Sequence, residues 1–330
     1  MIAITGANGL LGSFIATKFV SEKIPLIGLK RINTDISHLA HVSQGVEWRE
    51  ADVTNSLSLT EALLNADTVI HTAALVSFDP RAKERIFQTN VLGTQNVVNA
   101  CLALGIPRLI FISSVAALGR KKGMKEIHEE NKWVDSDLNS DYAKSKYLAE
   151  LEVYRGQEEG LSISIVNPSV ILSAGNPNKS SAQIFKYVHQ ERLFYAEGNI
   201  NYVDVRDVAD MIYKIHENSI SGEKYIANAG TIDLKELMTK IAIRLEKRVP
   251  SIKINLRLLQ AAAWVEELRS KITGAEVLIS RQSVKMPGEK FIYQNQKSIN
   301  RLNMAYRPLE ETLDWCCGHY KKAFTTNKYK

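Results

Sequence analysis

Short apolar runs alternate with segments of helical periodicity over the first half of the chain. Ile2-Ala3-Ile4, Pro25 to Leu29, Val46-Glu47-Trp48, Thr68 to His71, Leu109 to Ile112 and Ser162 to Val166 have the length and composition of strands. Between them, Leu11, Ile15 and Phe19 recur on one helical face, and Leu59, Ala62 and Leu63 mark a second helix. A long helix is expected from Glu84 to Leu104, stopped by Gly105 and Pro107. Another is expected to carry Tyr142 and run to about Glu158. Strands alternating with helices predict a parallel sheet covered by helices on both faces. After Pro168 the rhythm breaks. Asn176-Pro177-Asn178 and Ser180-Ser181 read as loop, and Asn201 to Val205 as a strand returning to the sheet. The stretch from Leu234 to Glu267 is mainly helical by pattern. The expectation is an α/β fold, a doubly wound parallel sheet over residues 1–172 with 200–230 returning to it. A smaller, mainly helical C-terminal lobe occupies 173–330 and would bind substrate.

Composition narrows this picture only a little. The 330 residues are 45% hydrophobic, enough for a sizeable core. The net charge of +6 is spread along the chain, with a cluster only at Lys321, Lys322, Lys328 and Lys330. That pattern reads as solvated surface rather than a nucleic-acid footprint, and a basic cleft would suit an anionic cofactor. Cys101, Cys316 and Cys317 lack the spacing of a zinc site or a disulfide framework, so no metal is expected. No apolar run is long enough to span a membrane, and Met1 leads at once into a strand, so a cytoplasmic location is expected.

Chemistry begins at the first strand end. Thr5-Gly6-Ala7-Asn8-Gly9-Leu10-Leu11-Gly12 follows that strand and opens a helix. The first glycine permits a tight turn, the second lets a pyrophosphate approach the backbone, and the third allows close helix–strand packing. The helix N-terminus then offers free N–H groups to the phosphates. Gly6, Asn8, Gly9, Leu10, Leu11 and Gly12 are therefore candidate cofactor contacts. At the end of the second strand, NAD enzymes place an acid on the ribose 2′-hydroxyl. Here Gly28-Leu29 is followed by Lys30 and Arg31, which would attract a 2′-phosphate. NADP(H) is favoured, with NAD(H) as the alternative if Asp35 reaches the ribose from the next loop.

Tyr142-Ala-Lys-Ser-Lys146 puts a phenol and an ammonium one helical turn apart. A neighbouring cation lowers a phenol's pKa, so that Tyr142 could exchange a proton near neutrality. Tyr293 and Lys297 show the same spacing in a strand-like stretch, where it does not bring the pair together, so Tyr293 reads as structural.

These pieces, in this order, resemble the extended short-chain dehydrogenase/reductases, the NAD-dependent epimerase/dehydratase superfamily, and within them the dihydroflavonol-4-reductase-like branch. The resemblance is carried by the glycine motif, Ala51-Asp52-Val53, His71-Thr72-Ala73-Ala74, Asn90-Val91-x-Gly93-Thr94 and Ser113-Ser114-Val115. It continues through Tyr142-x-x-x-Lys146, Asn167-Pro168-Ser169 and Tyr202-Val203-Asp204-Val205-x-Asp207-Val208. Phe291-Ile292-Tyr293 and Leu309-Glu310-Glu311-Thr312-Leu313 resemble the C-terminal pattern. The resemblance implies a Rossmann-type fold. It implies that Ser114 orients the substrate oxygen, Tyr142 is the acid/base, and Lys146 tunes Tyr142 and holds the nicotinamide ribose. Asp52 and Val53 would meet the adenine, and Thr72, Ala73 and Ala74 would pass under the cofactor. Asn90 would support the site, Ser113 would lie beside it as a neighbour, and Pro168 would open the segment facing the carboxamide. His71 reads as a strand-end residue near the cofactor.

The expected activity is hydride transfer between nicotinamide and a carbonyl or secondary alcohol of a small or medium-sized, fairly apolar substrate. Val115-Ala116-Ala117 lacks the extra acid/base pair of a sugar 4,6-dehydratase and suits a less polar substrate. Ser77, Phe78 and Leu118, with Val76, would add surface near it. Phe185, Tyr187, Phe194 and Tyr195 could contribute from the C-terminal lobe. An NAD-dependent nucleotide-sugar epimerase is the runner-up, and a non-catalytic cofactor-sensing regulator the third reading. Val91, Val98, Leu102, Tyr147, Leu151 and Tyr154 could pair two copies or pack under the chain's own sheet, so monomer and homodimer both stay open.

Overall fold

The computed structural model describes residues 1–40, 42–178, 180–255 and 291–326. In chain order the elements run β1 (Ile2–Thr5), α1 (Leu10–Ser21), β2 (Leu26–Lys30), β3 (Val46–Glu50), α2 (Ser56–Ala62) and β4 (Thr68–His71). Then come α3 (Lys83–Phe87), α4 (Gly93–Ala103), β5 (Arg108–Ile112), β6 (Glu126–Ile127), α5 (Asp141–Glu158), β7 (Ser162–Pro168) and β8 (Val170–Leu172). The remainder is α6 (Gln183–His189), β9 (Phe194–Tyr195), β10 (Asn199–Asp204), α7 (Val205–Glu217), β11 (Glu223–Ala227), β12 (Gly230–Asp233) and α8 (Leu234–Leu245). β13 (Ile252–Lys253), β14 (Ile292–Tyr293), α9 (Gln296–Leu302) and α10 (Leu309–Thr325) close the chain.

Seven parallel strands form the main sheet in the order β11-β7-β5-β4-β1-β2-β3. The inner strands are largely buried on both faces, as a parallel sheet between helical layers requires, whereas β3 at one edge buries only Val46 fully. One apolar cluster packs α1 and α7 on the sheet through Ile15, Phe19, Met211 and Ile212. The other packs α2, α4 and α5 on it through Leu59, Val97, Val98, Ala149 and Val153. The expected doubly wound α/β fold is what the chain adopts. A third cluster, around Phe185, Leu237, Ile241, Leu313 and Tyr320, joins α6, α8 and α10.

Three expectations change. The strand read over 201–205 is β10, and it pairs with β8 and β12 in a separate three-stranded sheet. The strand that extends the main sheet is β11, which pairs with β7. The long helix expected over 84–104 contains one wide turn at Gln88–Leu92, with i to i+5 hydrogen bonding, between α3 and α4. The helical stretch read over 234–267 is α8 as far as Leu245; residues 256–290 lie outside the described residues. Of the candidate pairing positions, Val98 is core, whereas Leu151 and Tyr154 are exposed, and Tyr147 stacks on Trp133 at 4.6 Å.

Candidate active site

Strand order places the site. β2 and β3 lie to one side of β1, and β4, β5, β7 and β11 to the other. The crevice at the carboxyl ends of β1 and β4 is thus the switch point where ligands bind in such sheets. Gly6 leaves β1 with a φ of 68°, and a Cβ there would come within 3.0 Å of the Ala73 backbone. A Cβ on Gly12 would lie 2.2 Å from the Gly6 carbonyl oxygen, so only glycine lets α1 pack this close. Gly9 caps α1 without a side-chain bond, and the first turn carries no acid. Its N–H groups face no competing carboxylate of their own helix. Asn8, Gly9, Leu10 and Leu11 keep exposed surface on one side of the crevice, and Thr72, Ala73 and Ala74 on the other. Thr72 Oγ1 donates to the Thr5 carbonyl at 2.7 Å, which fixes this second wall. A glycine turn against a helix N-terminus has the local features that pyrophosphate binding requires.

The two basic residues after Leu29 differ sharply. The Lys30 ammonium sits 2.7 Å from Glu50 on β3, and its side chain retains only 15% of its exposure. Arg31 is exposed and forms no ion pair among the described residues. The Asp35 carboxylate accepts from the Ser37 N–H and hydroxyl within its own turn. Asp52 does the same with Thr54, at 2.8 and 2.7 Å. Val53 is buried against Gly93 and the second apolar cluster.

Tyr142 lies in the first turn of α5, which Ser140 caps by accepting from the Ala143 N–H. The Tyr142 phenol faces Ser114, the second residue after β5, whose hydroxyl accepts from the Ala116 N–H at 3.2 Å. Burial pushes the phenol's pKa up, and the nearby Ser114 hydroxyl pulls it back in part. The lowering expected from Lys146 does not operate in this structure. The Lys146 ammonium donates instead to the Ile112 carbonyl at 2.7 Å and lies 4.3 Å from the Phe111 ring centroid. Burial pushes Lys146 down to about 7, opposed by Glu150. Asn90 sits on the wide turn between α3 and α4. Its amide both accepts from and donates to the Leu75 backbone, and it donates to Ser145 on α5. The segment after β4 is thereby tied to the helix carrying Tyr142.

Phe78 sets its ring edge against Tyr142, with centroids 6.2 Å apart, and is 44% exposed. Ser77 is close by in sequence and accepts from the Asp79 N–H. Leu118 is not available in this way. It is 1% exposed and packs with Val115, Ile127, Phe291 and Tyr293, because the turn after Ser114 folds inward as core. Phe185 is likewise core, whereas Phe194 is exposed and Tyr187 and Tyr195 are half-buried at the edge of the third cluster.

His71 ends β4 with both ring nitrogens engaged, by Thr5 at 2.7 Å and Thr94 at 3.1 Å, and burial pushes its pKa to about 3. Pro168 is buried at the end of β7, and the buried Asn167 Oδ1 and Ser169 Oγ flanking it in sequence find no partner among the described residues. A ligand amide there would have polar atoms to meet. Tyr293 and Lys297 part company: Tyr293 accepts from Arg120 at 2.8 Å, and Lys297 pairs with Glu223 at 2.8 Å. Among the described residues no His, Cys, Asp and Glu cluster could hold a metal, and no helix is long and apolar enough to cross a membrane. Sequence reasoning passed over Glu150. It lies four residues beyond Lys146 and collects Ser113, Asn167 and Lys224.

The family model of the NAD dependent epimerase/dehydratase family matches residues 2–230. A Synechocystis sp. protein named for dihydroflavonol 4-reductase is 25% identical over 316 residues, covering 94% of this chain and 91% of its own. Cinnamoyl-CoA reductase 1 of Petunia hybrida is 27% identical over 259 residues, covering 73% and 77%. The crystal structure of gox2253 superposes with a TM-score of 0.82 at 28% identity, covering 98% of each chain. The glycine cleft at the switch point and the Tyr142 helix therefore belong to a known enzyme lineage. This chain is an NAD(P)-dependent oxidoreductase of the NAD dependent epimerase/dehydratase family, in the extended short-chain dehydrogenase/reductase superfamily and similar to its dihydroflavonol-reductase-like branch.

Proposed function

We propose that the chain uses NADP(H) to reduce a carbonyl of a small or medium-sized, fairly apolar substrate. The observation that carries this reading is the Tyr142 phenol, which faces Ser114 and has the exposed Phe78 ring edge-on to it at 6.2 Å. A phenol whose pKa is raised by burial is protonated at neutral pH. It is set to donate a proton to the oxygen of a reacting carbonyl, which is the direction of reduction. Ser114 orients that oxygen through its hydroxyl. The bound nicotinamide would supply the hydride. Lys146 holds the ribose hydroxyls once its ammonium is drawn towards them. Gly6, Asn8, Gly9, Leu10, Leu11 and Gly12 take the pyrophosphate, and Asp52 and Val53 edge the adenine. Thr72, Ala73 and Ala74 floor the cleft, Asn90 and Ser113 support it, and Pro168 opens the carboxamide side. Residues 1–172 with β11 form the cofactor half, and the cluster joining α6, α8 and α10 the substrate half. Arg31 is the cation that favours a 2′-phosphate.

The test is twofold. Purified protein is titrated with NADPH and NADH, and then assayed for NADPH oxidation against a panel of aryl and alkyl aldehydes and ketones. Tyr142→Phe should keep NADPH affinity and lose turnover by about 100-fold or more. Undiminished turnover in that variant would refute the assignment. Co-purifying, non-exchanging NAD would move the reading to a nucleotide-sugar epimerase.

A further inference from the structure

Lys146 and Glu150 stand one turn apart on the same face of α5. Both are fastened to the end of β5, at consecutive residues. The Lys146 ammonium donates to the Ile112 carbonyl at 2.7 Å, and the Ser113 hydroxyl donates to Glu150 at 2.5 Å. Glu150 collects two further donors, Asn167 Nδ2 at 2.7 Å and the Lys224 ammonium at 2.6 Å. The same Asn167 nitrogen donates to the Ser114 carbonyl at 2.8 Å. One carboxylate, 2% exposed, thereby links α5 to residues at or beside β5, β7 and β11.

A neutral side chain would serve part of this linkage. Ser113 and Asn167 both address one oxygen, Oε1, which a glutamine would also present. What only a carboxylate supplies is negative charge one helical turn from a buried ammonium. A buried carboxylate is kept only where strong donors and an opposite charge compensate its lost hydration. Lys224 meets Oε2 from β11 at the rim, where its side chain retains 15% of its exposure and lies 5.3 Å from the Tyr154 ring centroid.

The other charged groups around Lys146 are few. His71 on β4 is held neutral by burial. α4, β7 and the 115–118 turn carry no charged side chain, and α3 contributes Lys83, Glu84 and Arg85, all exposed. Lys83 faces Asp141 at 3.6 Å. Burial pushes Lys146 down to about 7, and Glu150 acts against that.

We propose that Glu150 is a positioning residue that keeps Lys146 an ammonium and braces the Ser114 backbone through Asn167, with Lys224 dividing its charge. The link to turnover rests on the oxidoreductase reading; the link to the Lys146 proton does not.

The experiment is NMR titration of full-length protein carrying 13Cε-lysine, with the Lys146 signal identified by its loss in Lys146→Met. Glu150→Gln should lower the proton affinity of Lys146 by about tenfold, one unit in its midpoint. Lys224→Met should raise it, because Glu150 is then shared with no second cation. An unmoved midpoint in Glu150→Gln, or both variants moving the same way, would overturn the proposal. If Glu150→Gln does not fold, Lys224→Met decides alone: a raised midpoint supports the proposal, and an unchanged or lowered one overturns it. NADPH and NADH titrations on the same wild-type sample keep the two readings apart. Binding of neither dinucleotide would sink the oxidoreductase reading, and the lysine midpoints would still decide this one.

Discussion

Arg31→Ala is expected to separate the two nicotinamide cofactors. The charge of Lys30 is already met by Glu50 at 2.7 Å, whereas Arg31 is exposed and forms no ion pair among the described residues. On the proposed NADP(H) reading, Arg31 is thus the cation that would meet the 2′-phosphate. A unit charge pair about 4 Å apart gains roughly 1 kcal/mol in water and about 4 kcal/mol at an effective dielectric of 20. The exposed position sets the low end, and a phosphate near charge −2 roughly doubles it, to about 2 kcal/mol. That corresponds to a loss of about 30-fold in NADPH affinity. NADH carries a hydroxyl at that position and should change less than about threefold by the same arithmetic. Glu50→Gln should act oppositely, because it releases Lys30 towards the phosphate and removes a nearby negative charge. NADPH should then bind several-fold tighter. Fluorescence titration of the reduced dinucleotides reads both effects directly. At 1 M salt, where the screening length is about 3 Å, the wild type and Arg31→Ala should converge. Equal losses for NADPH and NADH, or no loss at all, would refute the reasoning.

Three further outcomes follow from the geometry. In Gly12→Ala the added Cβ would meet the Gly6 carbonyl oxygen at 2.2 Å and the Ala7 Cα at 2.9 Å. These are backbone atoms, so the start of α1 must shift at a cost of about 1–3 kcal/mol. Thermal denaturation should show a melting temperature lower by a few degrees, and dinucleotide titration a markedly weaker Kd; an unchanged Kd would remove the pyrophosphate assignment. His71 is held at about 3 against an ordinary 6.5. Between those values the unfolded chain binds a proton that the folded chain refuses. The stability from this group is therefore full above 6.5 and lost as pH falls towards 3, by up to about 1.4 kcal/mol per pH unit. Denaturant titrations from pH 4 to 7 should show His71→Gln with a flatter slope, and an identical slope would exclude His71 as the cause. Phe78→Ala removes an edge-on ring pair worth about 0.5–1.5 kcal/mol beyond its area. It should raise KM for aromatic ketones several-fold with kcat little changed, and an unaltered KM would take Phe78 out of the substrate surface.

What was legible in the chain, and what was not, divides along a physical line. Demands on the local backbone are written locally. The turn after β1 needs a left-handed φ at Gly6 and no Cβ at Gly12, so glycine stands at both and the motif shows itself. The inner strands each carry a run of apolar residues, such as Leu109 to Ile112 in β5, and are found by composition. β11 was missed because its first half, Glu223-Lys224, is polar and its buried half is only Tyr225-Ile226-Ala227. β10 alternates more plainly, so it drew the assignment to the main sheet that belonged to β11. The wide turn at Gln88–Leu92 shifts the helical register too little to break an apolar pattern, yet it sets Asn90 against Leu75 and Ser145.

The surroundings of a charge, by contrast, are written nowhere near it. The spacing of Lys146 and Glu150 was visible, but a glutamate on a helix with Glu152, Arg155, Glu158 and Glu159 reads as one more solvated charge. Its meaning comes from Ser113, Asn167 and Lys224, which lie 37, 17 and 74 residues away. The same holds for Lys30 and Arg31, adjacent and alike in sequence. Only the pairing of β2 with β3 brings Glu50 to one and leaves the other open. The Tyr142 phenol makes the point most sharply. The Tyr142–Lys146 spacing predicts a phenol lowered by its ammonium, whereas the fold turns that ammonium to Ile112 and lets burial raise the phenol. Which atom the ammonium meets is decided at the end of β5, 34 residues away, and the helical spacing alone does not show it.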